Sequence, residues 1–308
     1  MSVPGPSLPR VTSTGTTAAF RDDLVPVADA GPRLAVRSLD GSLRPFLLVH
    51  GLASNARVWD GVARRLAAAG HPVVAADLRG HGRSEEPATG YDTDTAADDL
   101  AAVAAALGLR APFVVGQSWG GNVVLALAAR SPGVAAAVAC VDGGWLRLRD
   151  GFATFDEAWS VLAPPVLDGV RYADVAARIR DAHPDWPPEG VEGTLANLVE
   201  LPGGGVRARL AREHHREILR SLYDGDPREW YPRVDVPVLL VPAVGERPEP
   251  GEGAREAGTR AAVLGALAAL PRGSARWYPG ADHDLHAQHP GLLAADLLTL
   301  ETTLENRR

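Results

Sequence analysis

The run Gly116-Gln117-Ser118-Trp119-Gly120 sets a serine between two glycines at the point where an apolar stretch, 113–115, gives way to a helix-like one, 122–130. A chain that passes from strand to helix within two or three residues holds the intervening side chain on a strained bend with its hydroxyl exposed. Gly116 and Gly120 keep the neighbouring backbone clear of that bend, where a Cβ would collide. Ser118 also stands at the start of a helix, whose unpaired backbone N–H groups favour a developing negative charge. The chemistry that suits such a serine is nucleophilic attack on a carbonyl carbon. It requires a general base, a group that orients the base, and N–H donors for the tetrahedral oxyanion.

The base is expected after the last strand, where Gly280-Ala281-Asp282-His283 stands, and His283 takes that role. His286 and His289 follow at three-residue steps, which raises the alternative of a three-histidine metal site. Side chains at i, i+3 and i+6 drift around a helix instead of converging, so the expectation is no metal. One oxyanion donor is the N–H of Trp119, and the other comes from His50-Gly51-Leu52, with Leu52 as donor. His50 and Gly51 border the substrate in this reading, His50 also bracing its loop. The orienting acid has two main candidates. Glu246 follows the strand 237–241, and Asp142 ends the strand immediately after the serine's helix. Glu249 and Asp282 are lesser options, and the choice stays open.

These residues need a scaffold, and the hydrophobic pattern supplies one. Apolar runs at 33–39, 45–49, 73–77, 113–115, 134–141, 237–241 and 275–278 alternate with helical spacings, the signature of a parallel sheet covered by helices. Val58, Val62 and Leu66 share one helix face, as do Leu100, Val103 and Leu107. The alternation breaks at Trp145 and resumes near 233. Between them lies a Trp- and Pro-rich helical block without a clear strand, read as an inserted cap. The predicted organisation is a flexible tail over 1–22, a core over 23–144 and 233–308, and a cap over 145–232. Trp145, Phe152, Phe155 and Trp159 open that cap and are expected to line an apolar acyl pocket. The loop 77–84 is read as fixed by its own polar side chains.

Composition narrows the function. All 31 basic residues are Arg, and the absence of Lys removes Schiff-base chemistry and a Ser-Lys dyad. A net charge of −7 argues against nucleic acid or an anionic membrane surface as a partner. The single cysteine, Cys140, lies in an apolar run as a structural thiol. No apolar run spans a bilayer, and the first twenty residues lack the pattern of a signal peptide. A cytoplasmic protein is expected.

In order along the chain, His50-Gly51-Leu52, the loop 77–84, residues 116–121 and Gly280–His283 with Pro290 beyond resemble the α/β-hydrolase superfamily, in its capped esterase, lactonase and epoxide-hydrolase-like branch. The resemblance implies an α/β-hydrolase fold: a mostly parallel eight-stranded sheet flanked by helices, with an inserted helical cap. In related haloalkane dehalogenases the acid stands at the place of Asp142. Epoxide hydrolases share a Trp after the nucleophile but carry Asp where this chain has Ser118, and epoxide or haloalkane opening needs that carboxylate. The expected function is a cofactor-independent serine hydrolase that cleaves an ester, lactone or thioester of an apolar small molecule. The alternatives are C–C bond hydrolysis, acyl transfer or cofactor-free peroxidase chemistry on the same triad, and a ligand-binding pseudo-hydrolase.

Overall fold

A computed structural model describes residues 19–28, 31–248 and 253–305. The core runs β1 (Arg21–Pro26), β2 (Arg33–Leu39), β3 (Phe46–Val49), α1 (Asp60–Ala68), β4 (Val73–Ala76), α2 (Thr93–Ala106), β5 (Phe113–Gln117), α3 (Trp119–Arg130) and β6 (Ala137–Val141). The segment expected as a cap follows, with α4 (Phe155–Leu162), α5 (Tyr172–Ala182), α6 (Pro188–Leu195), β7 (Leu198–Glu200), β8 (Val206–Ala208) and α7 (Arg212–Asp224). The core then resumes with β9 (Val238–Val241), α8 (Ala254–Ala269), β10 (Gly273–Ala275), α9 (Leu285–Gln288) and α10 (Pro290–Glu305).

Eight strands form one sheet in the order β1-β2-β4-β3-β5-β6-β9-β10, antiparallel across β1, β2 and β4 and parallel from β4 onward. Every residue of β3, β4, β5, β6 and β9 is buried, because helices cover both faces and leave no polar alternate position. Alternate side chains serve opposite faces. Leu47, Val114, Val138 and Leu240 pack on one face with α2, α3, α8 and part of the cap. Phe46, Phe113, Ala139 and Val241 pack on the other with α1, α9 and α10. Val62 and Leu66, and Leu100 and Val103, are buried as their spacing predicts, whereas Leu107 caps α2 with 38% of its surface exposed.

Three expectations are corrected. Residues 21 and 22, assigned to the tail, begin strand β1, while 1–18 lie outside the described residues. The cap contains an antiparallel hairpin, β7 with β8, besides its helices. The last strand ends at Ala275, and only the Arg276 and Tyr278 N–H groups continue bonding, to the carbonyls of Leu240 and Pro242. Among the described residues no helix is long and apolar enough to cross a membrane.

Candidate active site

β5 is central in the sheet and ends at the serine. Ser118 has φ 53° and ψ −122°, a left-handed conformation that costs a non-glycine residue about 1–3 kcal/mol. Its surroundings leave no room for larger neighbours. A Cβ on Gly116 would lie 2.0 Å from the Gly120 carbonyl oxygen, and one on Gly120 would lie 2.5 Å from the His50 carbonyl oxygen. The bend is tied down by Ser118 N–H to the Val141 carbonyl, 2.9 Å, and Gly121 N–H to the Ser118 carbonyl, 2.9 Å.

A continuous hydrogen-bonded chain leads away from this serine. Ser118 Oγ lies 2.9 Å from His283 Nε2, and His283 Nδ1 lies 2.5 Å from Asp142 Oδ2. With the carboxylate holding the proton on Nδ1, Nε2 is left as the acceptor for the serine hydroxyl. Asp142 Oδ1 accepts from Ala243 N–H at 3.0 Å, and Asp142 itself has φ 42°, so two of the three backbones at this site are strained. Burial pulls the His283 pKa down, but the hydrogen bond and charge of Asp142 outweigh it and the net shift is upward.

Of the two main acid candidates, Asp142 is the one that meets His283, and Glu246 is not. Glu246 is exposed on the turn after β9, and among the described residues it makes no hydrogen bond or ion pair with His283. The strand pair β6–β9 brings the end of β6 under the imidazole instead. Glu249 lies outside the described residues. Asp282 accepts a 2.8 Å hydrogen bond from the Trp186 indole of the cap and does not orient His283.

Leu52 shares with Ser118 and His283 the lining of a small cavity, and its N–H has no protein acceptor among the described residues. The Trp119 N–H belongs to the first turn of α3, which has no intrahelical acceptors. The Trp119 indole donates to Thr93 Oγ1 at 3.1 Å, and Thr93 N–H in turn meets Ser221 Oγ of α7, tying the residue after Ser118 to the cap. Gly51 is present because of close approach. A Cβ there would meet Gln117 Oε1 at 2.4 Å and Ser118 Cβ at 2.9 Å.

His50 does not border the cavity. It is fully buried, with Nδ1 on the Gly51 carbonyl at 2.7 Å and Nε2 accepting from Leu78 N–H at 3.0 Å. The reciprocal contact comes from the loop 77–84, which reaches beyond itself. His81 Nε2 accepts from Ala53 N–H at 3.2 Å, and Asp77 Oδ1 accepts from Ala56 N–H at 2.7 Å. Two imidazoles thus clasp the loops after β3 and β4, holding Ala53 at φ 56° beside Leu52. Sequence reading missed His81 because its partner lies 28 residues away.

The four cap aromatics are also corrected. None lines the cavity at Ser118. Trp145 and Phe155 are buried in the large hydrophobic cluster, and Phe152 and Trp159 pack against it. Phe155 meets Tyr223 edge-to-face at 5.8 Å, because large apolar surfaces are better buried among themselves than left on a cleft wall. The cavity's own lining includes Gln117 of the serine's own bend and Ser54, Thr194, Asn197 and Asp284, which no local motif announces.

His286 is buried against the Trp59 ring at 4.5 Å, and neither ring nitrogen has a partner among the described residues. Among those residues no group of three or more His, Cys, Asp or Glu side chains could hold a metal ion. Cys140 is buried with its thiol pKa pushed up by desolvation. Burial lowers the pKa of His50 to about 4, of His286 to about 4 and of His81 to about 3. An unfolded chain takes up these protons below about pH 6.5 while the folded one does not, so stability falls as pH drops from there toward 4. The expected loss is about 3 kcal/mol for each of His50 and His286. His283 opposes this in part. Thermal unfolding at pH 7 and pH 4.5 checks it, with a lower Tm at the acid value, and an unchanged Tm refutes it.

Residues 44–181 match the family described as the alpha/beta hydrolase fold. The chain is 31% identical over 294 residues to a non-heme chloroperoxidase of Streptomyces lividans, covering 93% of this chain and 96% of that one. It is 34% identical over 216 residues to a pimeloyl-[acyl-carrier protein] methyl ester esterase of Neisseria meningitidis, covering 67% and 62% respectively. Among solved structures it is similar to an E-2-(acetamidomethylene)succinate hydrolase, with TM-score 0.74 and 24% identity over 92% of this chain and all of that one.

Proposed function

Because the chain belongs to the α/β-hydrolase superfamily, we propose that it is a serine hydrolase that cleaves a carboxylic ester, lactone or thioester through an acyl-enzyme on Ser118. The observation that carries this reading is the unbroken chain Ser118 Oγ–His283 Nε2, His283 Nδ1–Asp142 Oδ2. Ser118 attacks the carbonyl carbon as its proton passes to His283 Nε2. The tetrahedral oxyanion accepts from the N–H groups of Leu52 and Trp119. His283 returns the proton to the departing oxygen or sulfur, and the C–O or C–S bond breaks. Water then attacks the acyl carbonyl while His283 takes its proton. Collapse releases the acid and restores the Ser118 hydroxyl. Asp142 holds the imidazole in the required tautomer throughout.

A second reading follows from the similarity to the chloroperoxidase. Hydrogen peroxide in place of water at the second step gives a peracid, with the same proton transfers. Both readings share the acyl-enzyme and differ only in what reaches it.

A fluorophosphonate probe tests the shared step, since Ser118 displaces its fluoride. Wild type is expected to label stoichiometrically, and Ser118→Ala not at all. A wild-type protein that resists the probe while binding a small ligand sinks the hydrolase reading and favours a binding protein.

A further inference from the structure

We infer that the acyl group accepted at Ser118 is short, uncharged and able to hydrogen-bond, as in a hydroxyacyl or acylamino ester, an inference that rests on the hydrolase reading. The cavity over Ser118 measures about 120 Å³. Sites for drug-sized ligands run to roughly 300–1,000 Å³, and a void of about 150 Å³ is filled by benzene, so this space holds about six heavy atoms or fewer.

Its walls resist widening. The cap helix α6 lies backbone to backbone on the core: a Cβ on Gly193 would come within 2.8 Å of Val58 Cα, and one on Gly190 within 2.9 Å of the Ala287 carbonyl oxygen. Asn55 Nδ2 pins the same segment, donating to the Gly193 carbonyl at 2.8 Å and to Asn197 Oδ1 at 2.5 Å. A long acyl chain has to push packed backbone aside, whereas the apolar cap aromatics expected to receive it are committed elsewhere.

The chemistry of the lining gives the rest. Asn197 spends its amide oxygen on Asn55, and neither its Nδ2 nor the Ser54 hydroxyl has a protein partner among the described residues. Both sit at the cavity rather than sealed in the interior. They offer donors to a substituent near the scissile carbonyl. No Arg lines this cavity, while Asp284 does; the charge of Asp284 raises the His283 pKa, and Arg255, which lines the adjoining cleft on the far side of the imidazole with Asp142, acts on it in the opposite sense. Inside the cavity a carboxylate-bearing acyl group meets the like charge of Asp284, and no guanidinium lines the walls to pair with it.

The test compares kcat/KM for four methyl esters with one leaving group: lactate, butanoate, octanoate and monomethyl succinate. Wild type is expected to prefer lactate over butanoate about ten-fold and to turn over octanoate and monomethyl succinate about a hundred-fold more slowly than lactate. Ser54→Ala and Asn197→Leu are each expected to erase most of the lactate-over-butanoate ratio. Asp284→Asn is expected to raise the succinate-over-butanoate ratio about ten-fold. Ratios within one variant cancel any loss of folded protein or of Ser118 reactivity. Faster turnover of octanoate or monomethyl succinate than of lactate by wild type overturns the inference, as do ratios unchanged in all three variants. Intact probe labelling with none of the four esters hydrolysed overturns it too, leaving the hydrolase reading standing. Failure of both labelling and turnover brings down that reading and the inference together.

Discussion

Ser118→Ala is expected to lower kcat/KM for any ester the wild type hydrolyses by about 10⁶-fold, leaving only what the oxyanion donors and binding supply over water. The magnitude follows from how the site is built. His283 Nε2 meets only the serine hydroxyl, and nothing else at 2.9 Å can accept the acyl group. The change leaves the fold nearly untouched. Alanine at φ 53° carries about the same backbone strain as serine, and the neighbouring bonds to Val141 and Gly121 are main-chain. A Tm within about 2 °C of wild type is therefore expected beside the loss of activity. Retention of more than a tenth of the turnover by a folded Ser118→Ala protein ends the assignment of Ser118 as nucleophile.

The parts of the fold that could be read from the sequence are those where burial leaves a simple pattern. β3, β4, β5, β6 and β9 are buried on both faces, so they appear as uninterrupted apolar runs. β1 carries no such pattern. It is an edge strand with Val25 as its buried residue and begins Arg-Asp-Asp, charges suited to an edge that must not pair further. β10 reads Gly-Ser-Ala and owes its place to its neighbour β9 rather than to propensity. The hairpin β7–β8 has three residues a side and buries only Val206, below what periodicity can register.

The candidate site divides in the same way. The bend at Ser118 was legible because its requirements are local: two glycines, a strand before, a helix after. The N–H groups of Leu52 and Trp119, proposed as oxyanion donors, are placed by the same local chain directions. The small residues and hydroxyls of the cavity were not legible, since Ser54, Asn197 and Asp284 come from three distant segments and meet only after the cap folds down. The cap aromatics misled for a physical reason. Size marks a residue as worth burying but does not say where, and here the core received them. Asp142 was visible as a candidate, but Asp142-Gly143-Gly144 also reads as an ordinary turn. Its φ of 42° and its place beneath His283 are properties of the folded chain alone.

Asp142→Asn is expected to reduce kcat about 10⁴-fold, whereas Glu246→Gln stays within two-fold of wild type. Asparagine suits the backbone, because it tolerates left-handed φ as well as aspartate does, and its amide oxygen can keep the Ala243 N–H bond. What changes is the face shown to His283. An amide NH₂ turned toward Nδ1 asks that nitrogen to accept, which moves the ring proton to Nε2 and removes the acceptor for the Ser118 hydroxyl. The pH profile separates this from a merely structural defect. In wild type the imidazolium form is inactive, so kcat/KM rises with pH through a His283 pKa that lies above the ordinary histidine value. Burial alone drives that pKa down, and the hydrogen bond and charge of Asp142 are what reverse it. Removing them is expected to shift the acid limb of the residual activity to lower pH in Asp142→Asn and to leave it in place in Glu246→Gln. An acid limb unmoved in Asp142→Asn, or a larger loss of kcat in Glu246→Gln, assigns the orienting role to the turn after β9 instead.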